Sequence, residues 1–137
     1  MITSQLNLER AITNDFHENI ARPLNVRVAW PNARFERPDD APWIILSIVK
    51  NDKVQRDFGA SSHGYRTTGV VFANVYIPLG LGSARALEIA DKILGRYRDV
   101  MRDGVYFETA SVGSGRREAG LWKIPVQCPF YADSIEG

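Results

Sequence analysis

The sequence predicts an α+β domain, a mainly antiparallel mixed β-sheet with two α-helices packed on one face. Three observations carry that reading. A long β-branched and aromatic strand, Val70 to Ile77, runs through a glycine-marked turn into an amphipathic helix. The predicted elements follow the order α-β-β-β-β-α-β-β, without the βα alternation of a doubly wound parallel fold. The chain of 137 residues is 45% hydrophobic, enough for one core and too apolar for a disordered segment.

The central strand sets the rest. Val71, Ala73, Val75 and Ile77 share one parity and so one face, and Phe72 and Tyr76 share the other. Pro78, Gly80 and Gly82 stop the strand, and Ser83 is an N-cap residue type. Ala86, Leu87, Ala90, Ile93, Leu94, Tyr97, Val100 and Met101 then recur at spacings of three and four, which predicts a helix reaching Met101 with Glu88 and Lys92 paired on its other side.

Upstream, Leu8, Ala11, Ile12, Phe16 and Ile20 form the stripe of a first helix over 4–21, capped by Ser4 and ended by Pro23. Leu24 to Ala29 reads as a short strand, and the proline-rich, charged stretch 31–42 as a surface loop. Trp43 to Val49 is apolar on both parities and reads as a strand covered on both faces. The polar run 50–53 reads as a hairpin tip, with Val54 to Phe58 returning and 59–64 a flexible stretch.

Downstream, Arg102-Asp103-Gly104 reads as the helix stop and a turn, Val105 to Glu108 as a strand and 113–117 as a flexible loop. Leu121 to Tyr131 is the last strand. Trp122, Ile124, Val126, Cys128 and Phe130 share one of its faces. Pro125 and Pro129 share a parity, so both missing amides point to one lateral side, which predicts a sheet edge. The expected organisation is a single domain over 1–131 and a flexible tail over 132–137.

Composition narrows the chemistry. A net charge of +1 supplies no broad footprint for nucleic acid or an anionic membrane. No apolar run approaches the ~20 residues of a membrane span, and MITSQLNLER has neither the basic region nor the apolar core of a signal peptide. The single Cys128 excludes an intrachain disulfide and points to a reducing cytoplasm.

No catalytic constellation emerges. Gly80-Leu81-Gly82 departs from a dinucleotide loop, because Arg85 stands where a third glycine belongs. His17, His63 and Cys128 lack metal-ligand spacing, and Cys128 falls on an apolar strand face. Ser61-Ser62-His63 lacks an orienting acid, and Glu36, Asp39 and Asp40 are neutralised by Arg34 and Arg37 in one solvated loop. The expectation is therefore no enzyme, no cofactor and no metal. A sheet apolar on both faces with two helices to cover it points instead to oligomerisation.

Three segments together resemble a known family. They are Val28-Ala29-Trp30-Pro31-Asn32 with Phe35 and Pro38; Gly69 through Val75-Tyr76-Ile77-Pro78 and Gly82-Ser83 into Ala90-Asp91-Lys92-Ile93-Leu94; and Gly104-Val105-Tyr106-Phe107 with Trp122 to Phe130. In this order and spacing they resemble the small tail terminator proteins of long, non-contractile-tailed bacteriophages and related prophages. The resemblance implies a structural virion protein that assembles in the bacterial host cytoplasm as a homo-oligomeric, usually hexameric, ring. Such a ring caps the head-proximal end of the tail tube, stops its polymerisation, and presents a surface to a head-completion or neck protein. DNA passes through its lumen without specific binding, and no membrane is involved.

A ring closes through a heterologous interface. Arg56, Tyr65 and Arg66 on the 50–68 hairpin are expected to contact a neighbour or the tube, and Arg116 and Arg117 on the second loop to sit on a docking face or line the DNA passage. The competing readings are a head-completion or neck adaptor and, from another class, a small nucleic-acid-binding module.

Overall fold

The computed structural model describes residues 4–57 and 63–136, with the backbone alone for 52–57, 63, 135 and 136. Phe58 and Ser61-Ser62 of the expected hairpin and loop lie outside the described residues, as do the side chains of Arg56 and His63.

Among the described residues a nine-stranded mixed sheet is organised on two long strands, β2 (Trp43–Asp57) and β3 (His63–Pro78), which pair antiparallel. Strand β1 (Arg27–Ala29) lies parallel to the start of β2. Beyond β3 the sheet continues through β9 (Val126–Glu136), β5 (Val105–Phe107) and β4 (Val100–Arg102), in the order β1-β2-β3-β9-β5-β4. Strand β6 (Ser111–Val112) pairs β9, and the hairpin of β7 (Arg116–Glu118) and β8 (Leu121–Ile124) pairs the end of β3.

The helices lie on one face of this sheet. Helix α1 (Gln5–Phe16) is capped by the Ser4 hydroxyl, which accepts from the Asn7 amide at 3.1 Å. Leu8, Ile12, Phe16 and then Ile20 are buried against the sheet. The helical path does not end before Pro23. It passes through a π-turn, His17–Ala21, into a last turn, α2 (Arg22–Leu24), and stops at Asn25 with a left-handed φ of 50°. In the wider turn the Arg22 amide donates to His17 O and the Val26 amide to Ala21 O. That shifted register removes the need for a Pro23 amide and relieves the clash of its ring with the preceding turn.

Helix α3 (Ala84–Arg96) buries Ala86, Ile89, Ala90 and Ile93, with Tyr97 just past its end. It is shorter than its periodicity predicts. Asp99, at φ 51°, turns the chain, and residues 100–102 become β4 instead. Leu87 is 45% exposed and Met101 62% exposed; Ile89 takes the central core position instead. Ser83 stands at the N-cap, but its hydroxyl makes no capping bond; its carbonyl accepts from Leu87 at 2.9 Å. Glu88 pairs with Arg85 at 3.1 Å. A buried polar cluster ties the helices together: Asp15 accepts from Arg96 at 2.6 and 3.1 Å and from the Tyr97 hydroxyl at 2.7 Å.

The expected hairpin tip at 50–53 is strand. β2 runs through it with a β-bulge between Lys50 and Asp52, so the polar residues are absorbed by an irregularity and not by a turn. Arg102-Asp103-Gly104 is no helix stop but the β4–β5 turn, with Asp103 at φ 50° and Gly104 at φ 84°, the paired left-handed residues of a tight hairpin. The 113–117 stretch is likewise not a free loop. A Cβ on Gly115 would lie 2.5 Å from the Trp122 indole and one on Gly113 2.7 Å from Pro125, so both glycines permit close packing. Arg116 and Arg117 are strand residues of β7.

The last strand is not an edge. Its chain breaks at Pro125 into β8 and β9, and β9 lies inside the sheet between β3 and β5. Pro125 O accepts from Gly113 at 2.8 Å and Pro129 O from Glu108 at 2.9 Å, so both prolines do turn the same side. That side faces β5 and β6, where the neighbouring strand is interrupted between Phe107 and Ser111 and asks little of β9's amides. Residues 132–136, expected as a tail, continue β9 and pair with β3 up to His63 opposite Glu136.

Candidate protein-binding face

The face of the sheet opposite the helices carries Trp43, Ile45, Ser47 and Val49 from β2, the even residues of β3, and Pro129 and Tyr131 from β9. Alternation along each strand puts them there, since their neighbours Ile44, Leu46, Val71, Ala73 and Cys128 fill the core. Val49 is exposed, and Ile45, Val70, Phe72 and Pro129 are half-buried, without a helix above them.

Two side-chain ladders bound this apolar field. At one end Phe35, from the 31–42 loop, packs on Trp43 at 5.4 Å, and Trp43 stacks on Tyr76 at 4.6 Å. The Tyr76 hydroxyl donates to Glu118 at 3.1 Å, and Lys123 lies 3.6 Å from the same carboxylate. Burial, with the Glu118 carboxylate beside it, pushes the Tyr76 phenol up to about 12. Trp43 Nε1 and Asn74 Oδ1, both on this face, are buried without a hydrogen-bond partner among the described residues.

At the other end Arg66 grips Asp133 across the β3–β9 pairing, at 2.7 and 2.9 Å. Its guanidinium sits 4.0 Å over the Tyr131 ring, and Tyr131 packs on Tyr106 at 4.9 Å. The Asp133 hydrogen bond raises Arg66 above its ordinary value. Beside this ladder is a mostly apolar cleft of about 160 Å³, lined by Met101, Gly104, Tyr106, Tyr131 and Asp133.

The residues singled out from sequence fall into two separated groups. Arg66 is on this face, already engaged with Asp133; Tyr65 is half-buried on the opposite parity. Arg56 pairs in register with Gly64. Arg116 is exposed, 3.8 Å from Glu118. Arg117 is exposed beside Trp122, Leu79 and the Gly80–Gly82 turn, where they line a cavity of about 330 Å³. The two groups lie at opposite ends of β3 and form no common site. Tyr106, Tyr131 and Met101 escaped the sequence reading, although the parity of Phe72 and Tyr76 pointed to the same face.

Among the described residues no three His, Cys, Asp or Glu side chains are grouped to hold a metal, and no helix is long and apolar enough to cross a membrane. Cys128 is buried, which pushes its thiol up to about 12 and leaves it a poor nucleophile.

Comparison with known proteins places this fold. No curated protein matches the chain. Among solved structures, one matches with a TM-score of 0.63 at 20% identity, over 89% of this chain and 93% of that chain, which establishes a shared fold. The family model described as phage tail terminator protein matches residues 7–130. That span takes in α3, nearly all of α1 and the long hairpin, and the chain belongs to the phage tail terminator family, whose members are structural proteins of the phage tail.

Proposed function

We propose that this protein caps the head-proximal end of the phage tail tube as a ring, stops tube polymerisation and forms the surface to which the head is joined. The observation that carries the reading is the family match over residues 7–130, which gives the chain a structural role in the phage tail. The open sheet face supports it: exposed Met101, half-buried Tyr106 and Tyr131 and an arginine held by Asp133 are residue types enriched at protein interfaces. The partners on this reading are further copies of the chain, six in a ring, the tube protein on one side and a head-completion or neck protein on the other. The protein assembles in the host cytoplasm and ends at the head–tail junction of the virion. DNA passes the lumen without sequence-specific contact, and exposed Arg116 and Arg117 belong to a docking face or to the lumen wall.

The test is the mass of the purified protein in solution together with negative-stain imaging of tail tubes with and without it. A ring, or a cap confined to one tube end, is the expected result. A protein that stays monomeric and leaves both tube ends bare would overturn the reading.

A further inference from the structure

A cavity of about 510 Å³ opens beside β1. Its lining includes Arg27 and Val28, which point to opposite faces of the sheet: Val28 is buried in the core, and Arg27 is level with Trp43 of the open face. A cavity that touches neighbouring residues of opposite parity lies over the lateral edge of their strand. Among the described residues β1 ends the sheet, with β2 on one side and no strand on the other. The residues that flank it are closed by local bonds, from the Val26 amide to Ala21 O and from the Ala33 amide to Trp30 O. Among the described residues no hydrogen bond leaves Arg27–Ala29 on the outer side. Alternate residues of an edge strand turn N–H and C=O groups outward, so the cavity meets an open strand edge.

Both walls pair an arginine with a ring. On the helix side stand Arg22, in the last helical turn, and Trp30, which packs edge-on against Phe16 at 6.2 Å and His17 at 5.9 Å. On the open side stand Arg27 and Phe35, the ring that packs on Trp43. Arg34 joins them from the 31–42 loop, so three guanidinium groups face one carboxylate, Glu36, in the lining. Arg22 has Glu18 as a surface partner at 3.1 Å. Arg27 and Arg34 are exposed and make no ion pair among the described residues.

We infer that this cavity docks an extended acidic segment of another protein, which adds a strand to the outer edge of β1 and sets its carboxylates against Arg27 and Arg34. An added strand offers the alternating donors and acceptors that an open edge lacks, with side chains directed to both walls. The half-buried Trp30 and Phe35 rings take its apolar side chains, and the unpaired arginines take its charge. A nucleic-acid backbone brings negative charge and acceptors but no N–H donors, so it matches the arginines and not the edge. The chain's own neighbouring carboxylates, Asp39-Asp40, lie between Pro38 and Pro42, which lack amides, so a second copy supplies no matching strand. Docking here is independent of the capping role.

The probe is a blocked peptide of sequence Glu-Glu-Val-Phe-Glu-Glu-Val, titrated into the purified protein and followed by the amide resonances of Arg27, Val28 and Ala29. It is expected to bind and to shift those resonances. The same peptide with glutamine for glutamate is expected to bind at least about tenfold more weakly, and a backbone N-methylated version to lose binding. The double variant Arg27→Ala, Arg34→Ala is expected to melt as the parent does and to bind the acidic peptide about tenfold more weakly. An acidic peptide that does not bind, equal binding of the glutamine or N-methylated peptide, or parent-like binding by the double variant would overturn the inference. Single-stranded oligothymidylate that binds these arginines more tightly than the peptide would overturn it in favour of nucleic acid. The capping role stands or falls separately, on the imaging of tube ends.

Discussion

The Tyr97 hydroxyl donates to the Asp15 carboxylate at 2.7 Å, and Arg96 holds the same carboxylate at 2.6 and 3.1 Å. One buried acid thus joins the first helix to the end of α3 and fixes both over the sheet. Burial alone would raise the Asp15 carboxyl; the hydrogen bonds from Arg96 and Tyr97, with the arginine charge, outweigh it and hold the group below its ordinary value. Burial and the Asp15 bond push the Tyr97 phenol far up.

Asp15→Asn leaves Arg96 half-enclosed without its counter-charge. The expected cost is about 3 kcal/mol of folding stability, read from urea unfolding. The pH dependence follows from the sign of the shift. A carboxyl depressed in the folded state contributes fully above its unfolded value, near ~4, and loses that contribution as pH falls through the folded value. The parent should therefore lose stability below about pH 4 more steeply than Asp15→Asn.

Tyr76 gives the opposite limb. Its phenol is raised to about 12, so its contribution is complete below the unfolded value, near ~10, and fades as pH rises through about 12. Tyr76→Phe should flatten the alkaline loss of stability while leaving the Trp43 stacking in place. Denaturant midpoints between pH 9 and about 12 test this.

Glycines separate packing from propensity. A Cβ on Gly69 would clash with the Val49 carbonyl oxygen and meet the Phe130 ring at 2.8 Å. Gly69→Ala is expected to cost about 2–3 kcal/mol by overpacking at the centre of the sheet. A Cβ on Gly95, within α3, meets nothing within 4 Å, and Gly95→Ala should stabilise by roughly 0.5 kcal/mol. Equal effects of the two substitutions in thermal unfolding would contradict the packing described.

Arg66 and Asp133 are each one-quarter exposed, so their forked pair is partly screened. Arg66→Lys should lose the fork and about 1 kcal/mol. Arg66→Glu sets two carboxylates against each other and should cost more, so its effect on assembly must be read beside its melting temperature.

Much of the fold was legible in the sequence because the burial pattern repeats at every level. Val71, Ala73, Val75 and Ile77 announced the core face, and Phe72 and Tyr76 announced a second apolar face without a second layer of helices. What periodicity could not supply was where a chain changes partner. Val100 and Met101 continue the spacing of α3, yet the left-handed Asp99 sends them into β4. The run 50–53 has turn composition, yet a bulge carries the strand through it. Pro125 and Pro129 correctly shared a side, but an interrupted neighbour satisfies that side as well as an open edge does. The cleft of Met101, Tyr106 and Tyr131 was illegible because it joins three strands whose order no local signal encodes. Arg66 read as a free interface cation because its partner Asp133 lies 67 residues away.

The most direct test of the capping role is negative-stain imaging of tail tubes incubated with the purified protein. The account predicts a ring-shaped density at one end of each tube and no further tube growth from that end. Tubes that keep both ends bare and continue to elongate in its presence would contradict it.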